Sequence, residues 1–115
     1  NALADQGRFE EAAHEYEEAL RGELGDHKTR NNYARVLLRL GRADEGLREL
    51  ETAVRLRPDY GLARYNLASV LLRMGRVREA LPHLEALVAL PYEDEAMRAR
   101  AARDLEAARR GPLRP

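Results

Sequence analysis

Residues 41–74 read GRADEGLRELETAVRLRPDYGLARYNLASVLLRM, and the chain then starts again with Gly75-Arg76. The same Gly-Arg pair stands at Gly7-Arg8, so Gly7, Gly41 and Gly75 are each 34 residues apart. A fixed period of that length marks a stacked array of structural repeats, and it takes precedence over any residue-by-residue reading. Each glycine follows an apolar run: Ala2-Leu3, then Val36-Leu37-Leu38-Leu40, then Val70-Leu71-Leu72-Met74. A helix ends readily on a left-handed residue, a conformation glycine adopts without a Cβ clash. New runs follow each glycine, with Phe9-Ala12-Ala13-Tyr16, Ala43-Leu47-Leu50-Val54 and Val77-Ala80-Leu84-Leu87. Spacings of three and four place each set on one helical face. The expected unit is a helix, a tight glycine turn and an antiparallel helix.

With the glycine placed fifteenth in the unit, full periods begin at residues 27 and 61, after a partial one. Set out this way, the chain resembles the tetratricopeptide repeat (TPR) family. That family prefers small residues at positions 8, 20 and 27, a large apolar or aromatic residue at 24 and proline at 32. Position 8 is Ala34 and Ala68, and position 20 is Ala12, Gly46 and Ala80. Position 24 is Tyr16, Leu50 and Leu84, position 27 is Ala19, Ala53 and Leu87, and the proline is Pro58. The chain departs from the pattern where Arg30 and Arg64 replace the tryptophan of position 4. Leu24 stands where the first proline belongs, and Pro91 comes one residue early. The resemblance implies an all-α fold, an α-solenoid of antiparallel helix pairs forming a TPR-like superhelix. It comprises about three repeats, the first incomplete, and a C-terminal capping helix.

The expected organisation is a single repeat domain over 1–110 with a flexible tail over 111–115. Within it lie a partial repeat over 1–26, repeats over 27–60 and 61–92, and a capping helix over 93–110. Asn1 falls at position 9, so residues 1–6 read as the tail of a first helix that Gly7 would end. Stacking surfaces are apolar and need a polar cap, so the chain reads as a fragment of a longer protein, or as one whose opening residues are disordered or cleaved. Helices are expected over about 8–21, 27–40, 44–56, 60–74, 77–90 and 93–110. Gly22 is placed as a C-cap with Leu24 folding back, and Asp26 and Asp59 as N-caps. Pro58 stops the helix before it, because the residue ahead of a proline avoids helical geometry. Pro82 inside a helix removes one backbone bond at a cost of about 3 kcal/mol, so a kink or a start delayed to near Arg78 is expected. Met97, Ala101, Leu105 and Ala108 form the one apolar stripe a capping helix needs.

The 115 residues carry no net charge, with 35% charged and 44% hydrophobic residues, which suits a folded helical protein and argues against disorder. Nineteen arginines stand against a single lysine, Lys28. That skew is commonly the mark of a GC-rich genome, and 20 acidic residues cancel the 20 arginines and lysine together, which argues against nucleic-acid binding. With no cysteine, disulfides, thiol chemistry and sulfur-ligated zinc are excluded. No apolar run approaches 18 residues, so membrane insertion is not expected. The compartment is open; a soluble, cytoplasmic protein is the favoured reading. Glu10, His14 and Glu18 share a helical face, but a straight row does not converge on one metal ion, and such rows are usually solvated. No nucleophile elbow, phosphate loop or HExxH motif occurs, so no enzyme activity, metal or cofactor is expected.

In the resembled fold the first helix of each pair lines a concave groove, at positions 2, 5, 6, 9, 12 and 13. The register assigns Lys28, Asn31, Asn32, Arg35, Leu38 and Arg39 to it from one repeat. From the next come Leu62, Tyr65, Asn66, Ser69, Leu72 and Arg73, and the capping helix adds Arg100 and Arg103. Asn32 and Asn66 share position 6, and an amide that both donates and accepts suits an extended peptide backbone, or else bonds neighbouring helices. Arg35, Arg39 and Arg73 suit carboxylates, and Leu38, Tyr65 and Leu72 give apolar footing. One subclass of the family clamps the C-terminal carboxylate of chaperones; Asn66 and Arg100 match its pattern, whereas Asn31, Arg35 and Ala96 do not. The expected function is a protein-interaction module or scaffold that binds a protein or peptide segment, preferentially acidic, in this groove. The alternatives are a structural or self-associating segment of a larger protein, dimerising through the incomplete first repeat, or the regulatory part of an enzyme whose catalytic domain lies elsewhere.

Overall fold

The computed structural model describes residues 2–21, 26–89 and 94–110. Among them run six helices and no strand. They are α1 (Ala2–Arg21), α2 (His27–Arg39), α3 (Ala43–Leu56), α4 (Gly61–Arg73), α5 (Val77–Ala89) and α6 (Glu95–Arg110). The chain divides into two compact units, Asn1–Ala63 and Arg64–Pro115. The expected cap at Gly22, the fold-back of Leu24, Leu90, Pro91 and the tail lie outside the described residues.

The period reappears in the backbone hydrogen bonds. Gly41 and Gly75 have φ of 78° and 79°, the left-handed conformation. Gly41 N–H donates to Leu38 O at 3.1 Å and Arg42 N–H to Leu37 O at 2.8 Å; one repeat later Gly75 donates to Leu72 O at 3.0 Å and Arg76 to Leu71 O at 2.8 Å. These paired bonds satisfy carbonyls that a helix end would otherwise leave orphaned, and they reverse the chain into the next helix. Asp26 caps α2, its carboxylate accepting the Thr29 N–H at 2.8 Å. That bond, with one from the Thr29 side chain, holds the Asp26 carboxyl below its ordinary range. α3 ends at Leu56, ahead of Pro58.

Gly7 departs from the expected pattern. α1 runs unbroken from Ala2 to Arg21 through Gly7, and there is no turn between two helices at that point. The residues just before Gly7 include Ala2, Leu3 and Ala4, good helix formers that favour continuing the helix through it. Keeping glycine inside a helix costs only about 1 kcal/mol relative to alanine. Arg8 accordingly pairs backwards with Asp5 at 3.7 Å, whereas Arg42 and Arg76 each grip a glutamate three residues ahead, Glu45 and Glu79.

Two further expectations are corrected. α4 begins at Gly61, so Tyr60 stands at the cap position; Asp59 lies in the turn, its carboxylate 3.6 Å from Arg57 Nε. The helix carrying Pro82, α5, begins at Val77, so of the two expected outcomes it is the delayed start that does not occur.

Small side chains sit where helices meet. Ala34, Ala53, Ala63, Ala68, Ala80 and Ala101 have no exposed surface. In the first unit Ala13, Tyr33 and Leu37 form a cluster, with Tyr16, Leu20, Val36 and Leu40 packed against it. In the second, α5 packs on α6, which buries Ala101 and Leu105 and half-buries Met97 and Ala108.

Two helical glycines should respond oppositely to alanine. A Cβ at Gly7 meets nothing within 4 Å, so Gly7→Ala should stabilise by up to about 1 kcal/mol. A Cβ at Gly46 lies 3.0 Å from Leu38 Cγ and 3.2 Å from the Ala34 carbonyl oxygen, a backbone atom that moves only with α2. Overpacking of this kind costs about 1–3 kcal/mol, which exceeds the helix-propensity gain. Thermal melts should therefore place Gly7→Ala above the wild type and Gly46→Ala below it. The opposite order would overturn both placements.

Candidate polypeptide-binding surface

Many of the arginines are engaged within the fold. Arg30 Nη1 donates to Glu49 Oε1 at 2.9 Å, joining α2 to α3 with both side chains about three-quarters buried. The residues one period later, Arg64 and His83, approach to 3.2 Å between Nη1 and Nδ1. The positively charged stem that replaces the family's tryptophan thus ties the first helix of each pair to the second. Arg42 forks onto Glu45 at 2.7 and 2.8 Å, and Arg76 onto Glu79 at 2.6 and 2.7 Å. These two-pronged bonds hold both carboxyls below their ordinary range. Tyr33 donates its hydroxyl to Glu17 at 3.0 Å. Burial, and then that bond, push its pKa up to about 12.

A different environment surrounds the face of α2 that carries Asn32, Arg35 and Arg39. Phe9 and Tyr16 stand seven residues apart on one side of α1; Asn32, Arg35, Val36 and Arg39 follow helical spacing on α2. Together these six residues line an open pocket of about 190 Å³. The Arg39 guanidinium lies 5.6 Å from the Phe9 ring centroid, within cation–π range. Tyr16 in turn contacts Tyr33, ring centroids 6.2 Å apart. Among the described residues neither Arg35 nor Arg39 has a carboxylate partner. The pocket therefore offers an aromatic floor, an amide that donates and accepts, and two guanidinium groups.

Of the fourteen residues the register assigns to a groove, Asn32, Arg35 and Arg39 come together in this pocket. Lys28 is exposed on the first turn of α2. Asn31 is fully buried, which removes it from contact with a ligand in this conformation. Leu38 is half-buried and turned onto α3 over Gly46, so it packs the helix pair. Leu62 is exposed, at 37%. In the second unit Arg73 is exposed, and Asn66, Ser69 and Leu72 are half-buried. Tyr65 has the Arg100 guanidinium 5.9 Å from its ring centroid and donates to Asp104 at 3.4 Å. Arg103 lines a separate depression of about 570 Å³ between α5 and α6, with Val88, Leu105 and Arg109.

Phe9, Tyr16 and Val36 are missing from the sequence-derived set. The register assigns only first helices to the groove, so Phe9 and Tyr16 of α1, a second helix, fall to the core, and Val36 on α2 stands at position 10, outside the groove positions. The seven-residue spacing of Phe9 and Tyr16 was the available signal, since both then lie along one strip of α1.

Among the described residues no helix is long and apolar enough to cross a membrane. Tetratricopeptide repeat models match the chain twice, over residues 32–94 and 3–59. The comparison with curated proteins gives no match. Among solved structures, the MamA RS-1 ArsTM double mutant matches with a TM-score of 0.78 and 31% identity over 96% of this chain. The chain spans 60% of the length of that structure. With one family model covering more than half of its length, the chain belongs to the tetratricopeptide repeat family.

Proposed function

We propose that the chain is a polypeptide-binding module whose α1–α2 pocket takes an acidic segment of its partner. Tetratricopeptide repeats mediate protein–protein interactions. The observation that carries the acidic preference is the state of Arg35 and Arg39. Both are exposed on one face of α2 and, among the described residues, lack carboxylate partners, while Arg30, Arg42 and Arg76 are paired. An incoming carboxylate would supply the partner that the fold withholds, and an aromatic neighbour strengthens the site as water is displaced. The pocket volume of about 190 Å³ is below the 300–1,000 Å³ of typical small-molecule sites, which favours side chains of an extended segment over a free metabolite. Tyr65 with Arg100 offers a second aromatic–guanidinium pair in the second unit.

The test is charge reversal within one unit. A fluorescently labelled glutamate-rich peptide should bind, and added salt should weaken it. An exposed ion pair contributes about 0.2–1 kcal/mol, and reversal exchanges attraction for repulsion. Arg35→Glu with Arg39→Glu should therefore lower affinity about tenfold or more. Arg48→Glu with Arg55→Glu changes net charge equally on α3 and should leave affinity nearly intact. Equal losses would mean that the arginines act as bulk charge, and the pocket would not be the site.

A further inference from the structure

We propose that the Arg64–His83 contact makes the link between α4 and α5 open on mild acidification, while the equivalent Arg30–Glu49 link between α2 and α3 holds. The two links occupy the same places in successive repeats, each joining residues 19 apart. Their chemistry differs. A guanidinium carries donors and no acceptor, so a 3.2 Å approach of Arg64 Nη1 to His83 Nδ1 requires the lone pair of a neutral ring, its proton on Nε2. Protonating Nδ1 turns the acceptor into a donor and sets a second cation against the first at a half-buried position. The first link holds a carboxylate of opposite charge in place of a ring nitrogen, so it has no acceptor that turns into a second cation.

Among the described residues, the two carboxylates of α5 and Asp104 of α6 have partners other than His83. From α4 the charge acting on His83 is that of Arg64. On α5 itself, Glu79 is held by Arg76 and Glu85 by Arg109 of α6. On α6, Asp104 takes the Tyr65 hydroxyl and Arg100 lies over the Tyr65 ring. Burial, reinforced by Arg64, lowers the His83 pKa from its ordinary 6.5. A histidine depressed in the folded state is protonated first in the opened state. The link is thus fully present above the ordinary histidine range and weakens as pH falls below it, until the folded ring also titrates. One proton taken up on opening corresponds to about a tenfold change in the opening constant per pH unit within that window.

Amide hydrogen exchange, corrected for its intrinsic pH dependence, reads this between about pH 7.5 and 5.5, which brackets the ordinary histidine pKa. In the wild type, α5 amides should open more readily by up to about tenfold per pH unit, with α3 amides as a flat internal reference. His83→Gln keeps an acceptor that does not titrate, and His83→Glu recreates the link of the first repeat; in both, α5 should lose the acid response. A wild type without acid loosening of α5 would overturn the proposal, as would loosening that persists in His83→Gln. Should either variant fail to fold, proton NMR of the wild-type His83 ring decides: a titration midpoint below that of the denatured chain supports the proposal, and one at or above it overturns it.

Discussion

Leu50→Ala and Leu84→Ala should each lower the unfolding free energy by about 2–5 kcal/mol. Both leucines have no exposed surface, and they stand at the same place in successive repeats, on α3 and α5. Truncation loses the transfer free energy of the removed atoms and leaves a cavity whose walls relax only in part. Ala53 on α3 and Ala80 on α5, the helices that carry the two leucines, are small and fully buried too. An alanine has no flexible side chain with which to fill a vacated space, so the upper half of the range is expected. Urea unfolding followed by circular dichroism is the check. A loss below about 1 kcal/mol would place these leucines at sites that behave as exposed, and the repeat register would fail.

Gly41→Val should destabilise by about 1–3 kcal/mol through the backbone alone. At φ of 78° an L side chain is strained wherever the Cβ points. The surroundings contribute nothing, since a Cβ there meets no atom within 4 Å. Gly41→Asn separates strain from space, because asparagine tolerates the left-handed region, and it should cost clearly less than valine. The same pair of substitutions at Gly75 should repeat the result, given its φ of 79° and matching hydrogen bonds. Valine variants that melt like the wild type would remove the turn from its role in ending α2 and α4.

The turns were legible because they depend on local chemistry repeated at a long period. A glycine that ends an apolar run needs a left-handed backbone, and Gly41 and Gly75 both have it. Asp26 was legible for the same reason, as an acidic side chain placed to accept the first free N–H groups of α2. Gly7 carries the same local signal and yet lies inside α1, so the glycine alone does not fix the turn; the packing of paired helices contributes as well. Pairing of that kind is tertiary. Gly46 shows the limit in another way: helix propensity speaks for alanine, whereas the close approach of Ala34 and Leu38 speaks against it.

Part of the candidate site was legible, too. Helical register placed Asn32, Arg35 and Arg39 on one face of α2, and they do share a pocket. It also placed Asn31 and Leu38 there, but a register says which way a residue points relative to its own helix and nothing about how closely the next helix stands. Asn31 is enclosed and Leu38 is drawn onto α3. The aromatic floor from Phe9 and Tyr16 comes from a helix the register counts as outer, so it emerged only in three dimensions.

The most direct test of the proposed function is where an acidic peptide lands. A glutamate-rich peptide titrated into isotope-labelled protein should shift the NMR signals of Phe9, Tyr16, Asn32, Arg35, Val36 and Arg39 first and furthest. Those of Arg48 and Arg55 on α3 should stay nearly fixed at the same peptide concentration. Shifts spread evenly over the exposed arginines, or confined to α6 around Arg103 and Arg109, would contradict the assignment of the α1–α2 pocket as the binding surface.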